Sequence, residues 1–193
     1  MRAICMIGLW LVSAGGAMAA DGAVTDLVTG RCTVIARETK DEAGEPLKKS
    51  EQYASAWRCA GHQGRYVYVR YGDQREEIAF GSRRGVTTGY LGHGHFGSWG
   101  PTVEWRGTAA IVQYRWDIRD GEEAGKRDVG GDLAVIRLGQ GRKDTCIVAW
   151  VDTIANADAI DLARKAADSQ VAGHVCSEAR KPDYLGKRRP GAN

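Results

Sequence analysis

Long apolar runs, prolines and closely spaced cysteines are what this chain has little of. Its 193 residues include 4 prolines and 2 phenylalanines. Beyond the N-terminus no apolar stretch approaches the roughly 18 to 20 residues that a membrane-spanning helix needs, so no anchor is read downstream. The 27 Lys+Arg stand against 24 Asp+Glu, a net charge of +3 spread along the chain. That is too little and too dispersed for a dedicated nucleic-acid surface. No cysteine pair has Cys-x-x-Cys spacing, which argues against a structural zinc and against dithiol redox catalysis. Also missing are a Gly-x-Ser-x-Gly elbow, a phosphate loop ending in Lys-Ser or Lys-Thr, a Gly-x-Gly-x-x-Gly turn and a His-Glu-x-x-His pair. No set of catalytic residues is legible, and no cofactor is implied.

What is present begins with an address. Arg2 precedes an apolar stretch over residues 4–12, and Ala17-Met18-Ala19 closes it, in the order of a secretory signal. Residues 1–19 are expected to be removed before Ala20, giving a periplasmic or secreted protein without membrane insertion. Cys5 lies inside the signal. Cys32, Cys59, Cys146 and Cys176 remain, an even number in a chain sent to an oxidising compartment. Geometry favours one of their three pairings. A strand from residue 146 to 153 advances about 23 Å, and a helix over residues 157–170 returns the chain about 20 Å. Cys176 then lands level with Cys146, which leaves Cys32 for Cys59.

The body alternates strand patterns with turn signals. Over residues 111–119, Val112, Tyr114, Trp116 and Ile118 alternate with Gln113, Arg115, Asp117 and Arg119, so one face is buried and the other wet. Residues 133–138 and 146–151 are nearly continuous apolar runs, the pattern of central strands covered on both sides. The cover is readable after Asn156. Ala159, Ile160, Leu162, Ala163, Ala166, Ala167 and Gln170 share one side of a 3.6-residue period. Asn156 is placed as N-cap and Gly173 as C-terminal stop. The expected fold is α+β: a twisted antiparallel sheet or partial β-barrel of about 7 or 8 strands, a counting estimate from the strand patterns, with one C-terminal helix packed on it. The expected organisation is a flexible lead-in over residues 20–30, one domain over residues 31–180 and a flexible basic tail over residues 181–193. Residues 40–50 and 120–131 read as solvated connections; the second lacks the Asp-x-Asp-x-Asp-Gly ligand order of a calcium loop.

The unusual stretch is residues 85–101, where Gly89, Gly92, Gly94, Gly97 and Gly100 interleave with Tyr90, His93, His95, Phe96 and Trp99. His93 and His95, if extended, point to one side and could ligate a divalent transition metal. Tyr90, Phe96 and Trp99 could instead form an aromatic platform for a sugar or a peptide. The plainest alternative tucks these aromatics into the core. Trp57, Trp105, Trp116 and Trp150 lie in strand patterns and read as core.

Gly92-His93-Gly94-His95-Phe96-Gly97, Thr102-Val103-Glu104-Trp105-Arg106-Gly107 and Ala155-Asn156-Ala157-Asp158-Ala159 resemble a group of small exported bacterial proteins of unknown function. Trp57-Arg58-Cys59-Ala60-Gly61 and Trp105-Arg106-Gly107 are similar, more loosely, to segments of periplasmic C-type lysozyme inhibitors. That second resemblance implies an inhibitor of a lysozyme-type hydrolase, with Arg106 where the family's turn carries Lys. The leading expectation is a monomeric, non-enzymatic binding or structural module whose partner is a protein or an envelope glycan.

Overall fold

The computed structural model describes residues 22–27, 31–41, 43–119, 127–177 and 179–189. The signal segment, the acidic loop at 120–126 and the last four residues lie outside them. Among the described residues eleven strands form one open, mixed sheet. They are β1 (Ala23–Asp26), β2 (Thr33–Glu38), β3 (Tyr53–Ala60), β4 (Tyr66–Gly72), β5 (Arg75–Ser82), β6 (Gly85–Val86), β7 (Gly97–Arg106), β8 (Ala109–Arg119), β9 (Arg127–Arg137), β10 (Cys146–Asp152) and β11 (Asp183–Tyr184). One helix, α1 (Ala159–Ser169), lies between β10 and β11. The order across the sheet is β11-β10-β9-β8-β7-β5-β4-β3-β2.

The strand count exceeds the expected 7 or 8 because short pieces of the supposed connections pair with edges that a periodicity reading cannot see. Part of the lead-in is β1, antiparallel to β7 from Ala23↔Trp105 to Asp26↔Thr102. That pairing is available because β5 meets β7 only at Arg75↔Gly97, leaving the rest of that edge of β7 open. This β5/β7 pair and the β10/β11 pair are parallel, so the sheet is mixed, not purely antiparallel. The chain enters both pairs through long connections, as parallel strands require. The β8/β9 hairpin pairs out to Arg119↔Arg127, so β9 begins well before the expected start near Asp132.

Alternation along β8 sorts the core into two layers. Ala110, Val112, Tyr114 and Trp116 face one cluster with Phe80, Ile78, Trp105, Trp99 and Trp150. Ala109 and Ile111 face the other, together with Val135, Val151 and the helix. A bulge between Ile147 and Ala149 puts Val148 and Ala149 both on the helix side while Trp150 returns to the aromatic side. The central strands are covered on both faces, as their unbroken apolar runs require.

The helix docks through Ala159, Ala163, Ala166 and Ala167, all buried; small side chains let its backbone approach the sheet closely. Ile160 is exposed and Gln170 marks the end, so the inner stripe is narrower than its periodicity suggests. Asp158, not Asn156, is the N-cap, and Gln170 caps the C-terminus, so Gly173 is not the stop. Asp168 takes a bidentate bond from Arg106 at 2.8 and 2.7 Å, and Arg164 grips Glu104 on β7 at 2.9 and 3.0 Å. Cys32 bonds to Cys59 and Cys146 to Cys176, as expected, closing separations of 27 and 30 residues.

Candidate functional site

The Gly-rich stretch is pinned before it can reach outward. Thr88 donates to and accepts from the Phe80 backbone on β5, and Leu91 exchanges two backbone bonds with Ile78, at 2.7 and 2.8 Å. The chain then dives under the aromatic face of β8 to β10. His93 is buried there, stacked on Tyr114 with ring centroids 4.9 Å apart and set edge-on to Trp150 at 4.6 Å.

Both nitrogens of His93 are engaged. Its Nδ1 accepts the His95 backbone N–H at 3.1 Å, so the ring proton sits on Nε2, which donates to Asp132 Oδ2 at 3.0 Å. The same carboxylate oxygen accepts Trp116 Nε1–H at 3.0 Å, and the Tyr184 hydroxyl stands 3.5 Å away. Asp132 is 1% exposed, and its Oδ1 has no hydrogen-bond partner. Gly130 makes this knot sterically possible: a Cβ there would fall 2.0 Å from the Trp116 indole. Burial pushes the Tyr184 and Tyr114 phenols up to about 12, so both remain neutral hydrogen-bond donors. The Tyr114 hydroxyl donates to the His95 carbonyl at 2.9 Å.

His95 is half-buried beside this knot, 5.0 Å from the His93 ring and 5.1 Å from Trp116. Burial first, and then His93, lower its pKa, so its imidazole is neutral at pH 7. The two histidines do come together, but His93 presents no open nitrogen. Among the described residues no group of three or more His, Cys, Asp or Glu side chains could hold a metal ion.

The other expected residues scatter. Trp99 is buried edge-on to Tyr114 and stacked on Trp150 at 6.2 Å; its backbone N–H goes to Glu76, whose pKa burial raises. Phe96 is exposed under the Arg75 guanidinium. Arg106 is held between Asp168 and Glu104, its side chain 10% exposed. Tyr90 alone opens onto a groove of about 770 Å³, which it lines with Leu91, Arg142, Lys143 and the Cys146–Cys176 disulfide. The Arg70 guanidinium lies 4.0 Å over the Tyr90 ring. Among the described residues Arg142 and Lys143 form no salt bridge, and none of those lining the groove is acidic. Sequence reasoning missed these two cations because they lie more than fifty residues from Tyr90 in an ordinary-looking turn, Arg142–Asp144. It missed Asp132 because a strand-start aspartate carries no sign of its partner 39 residues away.

No family model, curated protein or solved structure matches the chain.

Proposed function

We propose that the chain is an exported, monomeric, non-enzymatic binding module, and that its ligand is anionic and lies in the groove beside the Cys146–Cys176 bridge. The observation that carries this reading is the pair of cations, Arg142 and Lys143, that meet no acidic partner among the described residues and line a groove together with Tyr90 and Leu91. Charge at the rim selects an anion and steers it in; the apolar floor favours a ligand with a ring or hydrocarbon face, as an acidic envelope glycan has. The arrangement nearest to acid–base chemistry, His93 with Asp132, is sealed in the core with both imidazole nitrogens engaged. Export is supported by the two disulfides, which persist outside reducing compartments, and by the signal-like N-terminus. Among the described residues no helix is long and apolar enough to cross a membrane. The hydrolase-inhibitor reading draws less support, because Arg106, which stands where that family's turn carries Lys, is tied down by Asp168 and Glu104.

Calorimetric titration with a short uronic-acid oligosaccharide at low salt tests the proposal. The expected result is saturable binding that weakens as salt rises and is absent for a neutral oligosaccharide of equal length. Equal heats from both sugars, or none from either at millimolar concentration, would overturn it.

A further inference from the structure

Toward the Asp152 end of β10, away from Cys146 and on residues that take no part in the groove, the chain packs against its own edge. The chain from Asp183 to Arg189 runs along that edge as a two-residue strand that bends at Gly186. Asp183 and Tyr184 pair in parallel with Ala149 and Trp150, and Leu185 N–H donates to the Trp150 carbonyl at 2.9 Å. Asn156 then treats Lys187 as a neighbouring strand would. Its Nδ2 donates to the Lys187 carbonyl and its Oδ1 accepts the Lys187 N–H, both at 2.8 Å. Asp152, fully buried, accepts from Arg189 through Nε at 2.9 Å and the backbone N–H at 3.3 Å. The guanidinium also lies over the face of Trp116, 4.8 Å from its centroid.

These contacts amount to a recognition code. Position 187 is read by its backbone only, since its side chain is exposed. Position 186 must be glycine: φ is +73°, and a Cβ would stand 2.4 Å from Asn156 Oδ1. Position 189 is read by charge, hydrogen bonding and an aromatic face together, which suits arginine and not lysine. Asp152 is held ready on its other side. Its Oδ1 accepts the Ile154 and Ala155 N–H groups at 2.9 Å, a turn that orients the carboxylate whether or not arginine is present. Although burial opposes its charge, these bonds and the arginine hold its carboxyl below the usual range.

We propose that this cleft is a receptor for an extended basic peptide of the pattern Gly-x-x-Arg, which the chain fills with its own residues 184–189 and which a matching segment of another polypeptide can enter. Edge pairing gives it affinity, and the glycine and arginine positions give it specificity. The resident strap competes at an effective concentration on the order of millimolar. An external peptide is therefore admitted efficiently only when the strap is weakened.

The test uses the full chain carrying Gly186→Val, which ejects the strap and leaves Asp152, Asn156 and Trp116 unchanged. Arg189→Ala serves as a second receptor. A fluorescent peptide of residues 181–189 is titrated by anisotropy into each, with both disulfides confirmed intact. Binding to either variant should be at least about tenfold tighter than to the unsubstituted chain, as expected when a cis competitor is removed. Peptides carrying valine at position 186, which cannot take the glycine's backbone conformation, or alanine at position 189, which loses the charge-assisted contact, should bind either variant at least about tenfold more weakly than the unsubstituted peptide. Failure of the peptide to bind both strap-weakened variants would overturn the proposal. So would binding that is indifferent to the glycine and the arginine, which would show attraction by charge alone.

Discussion

Asp132→Ala probes the buried knot most sharply. The substitution removes the one oxygen that accepts both His93 Nε2–H and Trp116 Nε1–H, each at 3.0 Å. Two buried donors lose their partner, each at about 1 to 3 kcal/mol, for a total of about 2 to 6 kcal/mol. At about 2 to 4 °C per kcal/mol for a domain of this size, the melting temperature falls by about 4 to 24 °C. Asp132→Asn should cost less. Its carbonyl can occupy the Oδ2 position and keep both donors, while its amide takes the Oδ1 position, which has no partner to lose. Denaturant unfolding of the oxidised protein, followed by near-ultraviolet circular dichroism, reads the difference, because Trp116 and Tyr114 sit in the knot. An alanine variant within about 0.5 kcal/mol of the unsubstituted chain, the ordinary scatter for surface changes, would refute the reasoning. So would an asparagine variant less stable than the alanine one.

Ala163 is fully buried against the sheet, so Ala163→Phe should overpack the helix contact and cost about 1 to 3 kcal/mol by thermal melting; an unchanged melt would mean the helix can lift away freely. Hydrogen bonding from Arg106 lowers the Asp168 pKa, and at Glu104 the bonds from Arg164 and Arg106 together outweigh the raising effect of burial. A folded-state pKa below the unfolded one gives stability that is present above the ordinary carboxylate range and lost as pH falls through it. Stability should therefore decline below about pH 4.5, and Asp168→Asn should make that decline shallower in pH-dependent denaturation; an identical acid limb would contradict the sign. Glu76, raised by burial, works in the opposite direction, favouring the fold while protonated and losing that share as pH rises. Cys146→Ala with Cys176→Ala opens a loop spanning a separation of 30 residues, worth about 3.5 kcal/mol by chain entropy. A melting point unchanged by that double substitution would show that the packed edge needs no staple.

Local periodicity made much of this fold legible, and for identifiable reasons. The Tyr114 and Trp116 alternation, the Ala159 to Ala167 stripe and both cysteine pairs follow from the geometry of single elements or of one strand followed by one helix. What stayed hidden depends on distant residues meeting. The two-residue strand β11 and the docking of residues 184–189 exist because buried Asp152 and Asn156 require partners, which composition alone presents as a loose basic tail. Of the expected site residues, Tyr90 reached the groove, whereas His93 and Trp99 turned inward to fill an aromatic core and Arg106 became a tie between helix and sheet. Gly-rich spacing told of backbone freedom without telling its direction.

Amide chemical-shift mapping with the same uronic-acid oligosaccharide tests the binding-module account most directly. Shifts should concentrate at residues 89–91, 142–145 and 176–177, leave His93 and Asp132 unmoved, and vanish in the Arg142→Ala, Lys143→Ala double variant. Shifts that survive that double variant, or that centre on the His93–Asp132 pair, would contradict it.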